Sequence, residues 1–139
     1  MFEAIDRLVI AVKDMDKAKD FFSDLLEIDF DEPLGGGESK MRAVYSLFGL
    51  ELVEATDPDS IVNTFIQKRG EGVFRVVVKV SDLEKATRKF AEKGVRAVGE
   101  LNFGGVREIA FHPKDTYGVQ MVLAEYRAKH PATVAGLEK

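Results

Sequence analysis

Two arginines, Arg7 and Arg75, stand 68 residues apart at the heads of matching apolar runs, Leu8 to Val12 and Val76 to Val80. A guanidinium stays protonated at any physiological pH, so it has no lone pair to give a metal. It offers instead a planar fork of N–H donors to a carboxylate, a phosphate or an enolate oxygen, and two of them in a dry site stabilise developing negative charge. Other routes to chemistry are sparse. The chain has no cysteine, which excludes disulfides, thiolate ligands and thiol nucleophiles, and it has only two histidines, His112 and His130.

The elements that must position these arginines are set by an internal repeat. Sliding the sequence by 68 positions lays Arg7 to Phe22 over Arg75 to Phe90, and seven of the sixteen pairs are identical, enough to mark a duplication. In each copy a β-branched run leads through an aspartate into apolar residues at helical spacing: Met15, Ala18, Phe22 and Leu25, then Leu83, Ala86 and Phe90. Asp14 signals one helix start, and Ser81 with Glu84 three residues later signals the other as a capping box. Gly94 is placed to close the second helix. Three strand-like segments follow each helix, near Ile28 to Glu32, Arg42 to Leu47 and Leu50 to Ala55, then Val95 to Leu101, Val106 to Phe111 and Val119 to Tyr126. Ser60 to Arg69 reads as a connecting helix that buries Ile61, Phe65 and Ile66.

The fold class is therefore α+β, with two tandem βαβββ modules at about residues 4–55 and 72–126 and a linker helix at about 60–69. Together they make one domain over 1–126, and 127–139 is a tail. One helix cannot cover both faces of a four-stranded module, so the expected arrangement puts helices outside and a curved, partly open mixed sheet around a cavity. Strand alternation then sorts the faces. Leu8, Ile10 and Val12, like Val76, Val78 and Val80, go under helices, leaving Arg7 and Arg75, with Lys79, toward the cavity. Aligning the last strands of the two halves pairs Glu51 with Val122 and Glu54 with Glu125, and puts Glu51 and Val122 on the cavity side with Leu52 and Leu123 beneath the helices. Phe74 alternates to the helix side as core.

Composition narrows the partners. Twenty Lys plus Arg against 24 Asp plus Glu give a net charge of −4 with no basic block, so nucleic acid and anionic membranes are poor ligands. Glu3, Asp6 and Arg7 interrupt the first residues before any long apolar run, so neither a signal peptide nor a membrane span is expected, and the reading is a cytoplasmic protein.

The stretches Ile5 to Val12, Glu51-Leu52-Val53-Glu54, Pro58-Asp59-Ser60 running to Lys68-Arg69-Gly70-Glu71-Gly72, and His112-Pro113-Lys114-Asp115-Thr116-Tyr117-Gly118-Val119 carry a resemblance. The sequence resembles the vicinal-oxygen-chelate superfamily of glyoxalases, bleomycin-resistance proteins and extradiol dioxygenases over residues 4 to about 126, and within it the methylmalonyl-CoA epimerases. The resemblance implies a divalent metal in the cavity, held by His, Gln or Glu, His and Glu from four strands. Here those positions fall on Arg7, Glu51, Arg75 and Val122, so the expectation is that the ordinary metal site is absent and no cofactor is used.

What the resemblance implies for the remaining residues is a Glu38 close to where the epimerases carry a catalytic glutamate, and a Lys114 near a cavity mouth where coenzyme A phosphates would meet it. Glu38 or Glu51 would move a proton, while Arg7, Arg75, Lys79 and Lys114 would bind substrate. Each has a plainer reading: an Arg7–Glu51–Arg75 ion cluster, a solvated Glu38 beside three glycines, a tight turn around Lys114, and a Lys79 that reaches solvent. Function divides accordingly between a metal-independent isomerase or lyase acting on an anionic or acyl-CoA-type substrate, a non-catalytic small-molecule binding protein, and a conventional metal-dependent epimerase. A homodimer is expected from the family.

Overall fold

Both halves of the repeat fold as strand, helix and three strands in the computed structural model, which describes residues 1–103 and 105–127. The first half is β1 (Phe2–Ala11), α1 (Met15–Leu26), β2 (Leu34–Gly35), β3 (Met41–Tyr45) and β4 (Leu50–Ala55). After α2 (Ile61–Arg69) the second half is β5 (Gly72–Val80), α3 (Leu83–Glu92), β6 (Ala97–Phe103), β7 (Val106–Phe111) and β8 (Met121–Glu125). The expected α+β class holds, and no helix among the described residues is long and apolar enough to cross a membrane. The expected tail, with His130, lies outside the described residues from 128 onward.

The chain divides into two compact units that do not coincide with contiguous sequence: Leu8–Phe74, and Met1–Arg7 joined with the chain from Arg75. Strands β1 and β5 each pass from one unit to the other. In the Leu8–Phe74 unit the strand order is β2-β3-β4-β1, with the later part of β1 parallel to β4 and the outer pairs antiparallel. Its helix-side core is Val12, Met15, Val44 and Leu52, with Ile10, Ala18, Phe22 and Phe30 packed on it. Asp14 caps α1 as expected, its carboxylate accepting from the Lys17 amide at 3.1 Å. Phe74 is buried and meets Phe65 of α2 edge-on at 5.0 Å between ring centres.

In the other unit the order is β5-β8-β7-β6, with the start of β1 beside β5. Its core is Val78, Val80, Leu83, Ala86, Phe111 and Leu123, joined by Val76, Phe90, Val95, Ile109 and Met121. The registers repeat across the halves, since Val9 pairs with Glu51 as Val77 pairs with Val122. This is the alignment on which the face assignment rests.

Five expectations are corrected. Residues 28–32 form no strand, because Pro33 lacks an N–H to continue a ladder, and the paired segment is only Leu34–Gly35. The cap of α3 is Asp82 rather than Ser81: the Asp82 carboxylate accepts from the Lys85 amide at 3.0 Å, while the Ser81 amide is drawn into a 2.8 Å bond to the Met1 carbonyl. In α2 the buried side chain is Val62, and Ile61, one residue earlier, turns outward. Leu25, at the end of α1, is likewise exposed although its spacing continues the stripe of Met15, Ala18 and Phe22, and Leu8 is exposed rather than covered by a helix.

Candidate functional site

Arg7 is the most deeply placed charged group of its unit, with 2% of its surface exposed. It shares its face of β1 with Val9 and Ala11, both buried, while Ile10 and Val12 point to the α1 core. Its Nε donates to Asp6 Oδ2 at 2.8 Å, and its Nη2 donates to Glu108 Oε2 in a close contact. The hydroxyl of Tyr126, just past β8, donates to the other oxygen of Asp6. The Lys79 ammonium lies 4.0 Å from the centre of the Tyr126 ring and 3.6 Å from the Glu3 carboxylate. Burial, and then the bond to Asp6, push the Tyr126 phenol well above its ordinary range, so it serves as a neutral donor.

Glu108, Asp6 and Tyr126 were not read from the sequence. A signal for Glu108 existed: Phe111 and Ile109 belong to the α3 core, so alternation sends Glu108 and Ala110 to the opposite face of β7. The positive charge of Arg7 is offset by these partners, since Asp6 and Glu108 both engage its guanidinium. Lys79, expected either to add charge or to reach solvent, is half-buried over Tyr126.

Arg75 is half-buried at the point where β5 enters this unit. Lys114 is exposed in a 3₁₀ turn, Pro113–Asp115, where its amide donates to His112 Nδ1 at 3.1 Å. Arg96 clamps that turn, with Nε 2.8 Å and Nη2 3.2 Å from the two oxygens of Asp115, and it holds the Asp115 carboxyl down to about 2. Glu51 and Glu38 belong to the Leu8–Phe74 unit. Glu51 is buried, opposite Tyr45 on β3 and Val9 on β1, whereas Glu38 is exposed in a 3₁₀ turn, Gly37–Ser39. That turn follows Gly35 and Gly36, whose φ angles of +106° and +107° suit glycine alone.

The donor set that the family would use for a divalent ion, Arg7, Glu51, Arg75 and Val122, does not fit one. Two members are permanent cations and one is a hydrocarbon, leaving a single carboxylate. Among the described residues no group of three His, Asp or Glu is arranged to hold a metal. A cavity of about 570 Å³ lies at the ends of β5 and β8, lined by Glu3, Lys79, Ser81, Arg107, Tyr126 and Arg127.

Comparison with known proteins agrees with the duplicated topology. The chain is 27% identical over 128 residues to the mitochondrial methylmalonyl-CoA epimerase of Mus musculus, covering 87% of this chain and 72% of that protein. It is 27% identical over 127 residues to the uncharacterized protein YqjC of Bacillus subtilis, covering 87% and 91%. Among solved structures, a variant of Streptomyces coelicolor methylmalonyl-CoA epimerase in complex with 2-nitronate-propionyl-CoA superposes with a TM-score of 0.84 at 27% identity, over 92% of this chain and 100% of that one. A methylmalonyl-CoA epimerase in complex with methylmalonyl-CoA and NH4+ gives 0.84 at 27% identity, over 94% and 99%. The family described as Glyoxalase/Bleomycin resistance protein/Dioxygenase superfamily matches residues 4–123, and with the paired βαβββ halves this makes the chain a member of that superfamily.

Proposed function

We propose that this protein binds an anionic organic or acyl-CoA-type ligand through Arg7 and Arg75 and catalyses metal-independent proton transfer on it, as an isomerase or lyase working through an enolate. The observation that carries the reading is the buried guanidinium of Arg7, held at one edge by Asp6 and bonded to Glu108. Withdrawn from water, such a group interacts strongly with negative charge that develops on a carbonyl oxygen, and by stabilising the enolate it makes the adjacent C–H more acidic, the task a metal performs in chemistry of this kind. Acyl-CoA ligands in two of the related solved structures support the substrate class. Arg75, and Lys79 over Tyr126, add positive charge, and exposed Lys114 is suited to a phosphate. The carboxylates proposed to take and return the proton are Glu51, buried, and Glu38, exposed. Exposed Val98 and Leu101 on β6, a strand whose outer edge no described strand covers, support a homodimer. The absence of cysteine is compatible with a cytoplasmic setting.

The test is incubation with methylmalonyl-CoA in D2O containing a chelator. Deuterium is expected at the α-carbon, undiminished by the chelator and lost in Arg7→Ala. Exchange that survives Arg7→Ala overturns the reading, as does a stoichiometric divalent ion in protein purified without a histidine tag. A second reading, ligand binding without chemistry, is favoured by the two carboxylates already engaging Arg7. Thermal stabilisation by the thioester with no deuterium uptake decides for it.

A further inference from the structure

Neighbouring residues on a strand project to opposite faces, so a strand does not by itself bring Asp6 onto the side chain of Arg7. What holds Asp6 there comes from the far end of the described chain. The Tyr126 hydroxyl donates to Asp6 Oδ1, while Asp6 Oδ2 accepts Arg7 Nε at 2.8 Å. Each carboxylate oxygen thus has its own donor, and the carboxylate cannot rotate without losing one of them. The group is dry, with Tyr126 at 6% and the Asp6 side chain at 8% exposure. The Tyr126 ring is fixed in turn by the Lys79 ammonium over its face, and Glu3 holds that ammonium from the other side.

We infer that Asp6 and Tyr126 are positioning residues for Arg7: they lock its Nε edge so that the Nη edge faces Glu108 and the ligand. This rests on the reading of Arg7 as a ligand-binding group. A free arginine side chain carries large rotamer entropy, and a fork already aimed loses little of it when it meets an anion. A phenol that burial keeps protonated donates to one oxygen of Asp6 without adding a charge, so the other oxygen stays with the guanidinium. A lysine in place of Arg7 has no Nε edge for Asp6 to hold.

The experiment observes the Arg7 Nε–H directly by NMR on protein labelled with 15N-arginine, its signal assigned by its loss in Arg7→Lys. The wild-type signal is expected to be sharp and slow to exchange with solvent. In Tyr126→Phe, which keeps the ring and its cation contact, and in Asp6→Asn, it is expected to broaden or exchange at least tenfold faster, with circular dichroism unchanged. Methylmalonyl-CoA, titrated calorimetrically, is expected to bind each variant about tenfold more weakly. The double variant is expected to be no worse than Asp6→Asn alone, because both changes break one link, whereas independent structural damage would add. An unchanged Nε–H signal in both single variants, or additive losses, overturns the proposal. Failure of the wild type to bind the thioester overturns the functional reading instead, and the Nε–H signal still decides whether Asp6 and Tyr126 position Arg7.

Discussion

Arg7 has two carboxylates on one guanidinium, and its removal would leave both buried without the cation they engage. Arg7→Met is therefore expected to lose about 3–5 kcal/mol of stability near neutral pH, by urea unfolding. A loss below about 0.5 kcal/mol, the range of ordinary surface changes, would show that the ion group is not what holds this region. Tyr126 gives an alkaline counterpart. Its folded pKa is raised, so above about pH 10 the unfolded phenol has lost a proton that the folded one keeps, and stability falls as pH rises. The slope from this group approaches about 1.4 kcal/mol per pH unit and is absent below pH 10. Tyr126→Phe should flatten the stability profile above pH 10 by that amount. The repeat and strand alternation made the strand positions of Arg7, Arg75 and Glu51 legible in the sequence. The partners of Arg7 were not, because Glu108 lies 101 residues away and Tyr126 reaches Asp6 across 120, and no local periodicity encodes such a meeting.

At the scale of elements, the duplication extends to how helices are seated on strands. Glu54 at the end of β4 accepts from the Met15 amide at 2.6 Å, and Glu125 at the end of β8 accepts from the Leu83 amide at 3.1 Å. In each half, then, a strand-end carboxylate meets the first residue of the helix, where unpaired N–H groups and the helix dipole favour an anion. Glu54→Ala and Glu125→Ala should each cost about 1 kcal/mol in chemical denaturation, with faster hydrogen exchange confined to the first turn of α1 or α3 respectively. Loss of protection spread evenly over the chain would argue against a local seat. The turn at Pro113–Asp115 has its own acid limit. Because Arg96 depresses the Asp115 pKa to about 2, the bond is fully formed above the ordinary carboxylate range near 4 and is lost as pH falls through about 2. Exchange of the Arg96 amide, which also donates to Asp115, should accelerate only in that window. Element bounds were legible where alternation ran uninterrupted, as in Leu50–Ala55 and Val106–Phe111. They failed at Pro33 and at Ser81, where a missing donor and a distant carbonyl from Met1 outweigh the local pattern.

For the whole molecule, light scattering is expected to give twice the mass of one chain, and a monomeric mass across micromolar concentrations would remove the proposed dimer. The architecture itself was readable because duplication writes the same strand–helix pattern twice, whereas the division into units was not, since the exchange of strand ends follows from contacts rather than from sequence periodicity. That exchange has a consequence for biosynthesis. The Leu8–Phe74 unit has all of its residues once Phe74 is made, but Met1–Arg7 belongs with the chain from Arg75. Arg7 is made 101 residues ahead of Glu108, and Asp6 120 ahead of Tyr126, so they must wait for these partners, a delay on the order of ten seconds at ordinary translation rates. Until then the strand segment carrying exposed Phe2 and Ile5 lacks the rest of its unit, so residues 1–7 are a segment for which a nascent-chain chaperone would have use.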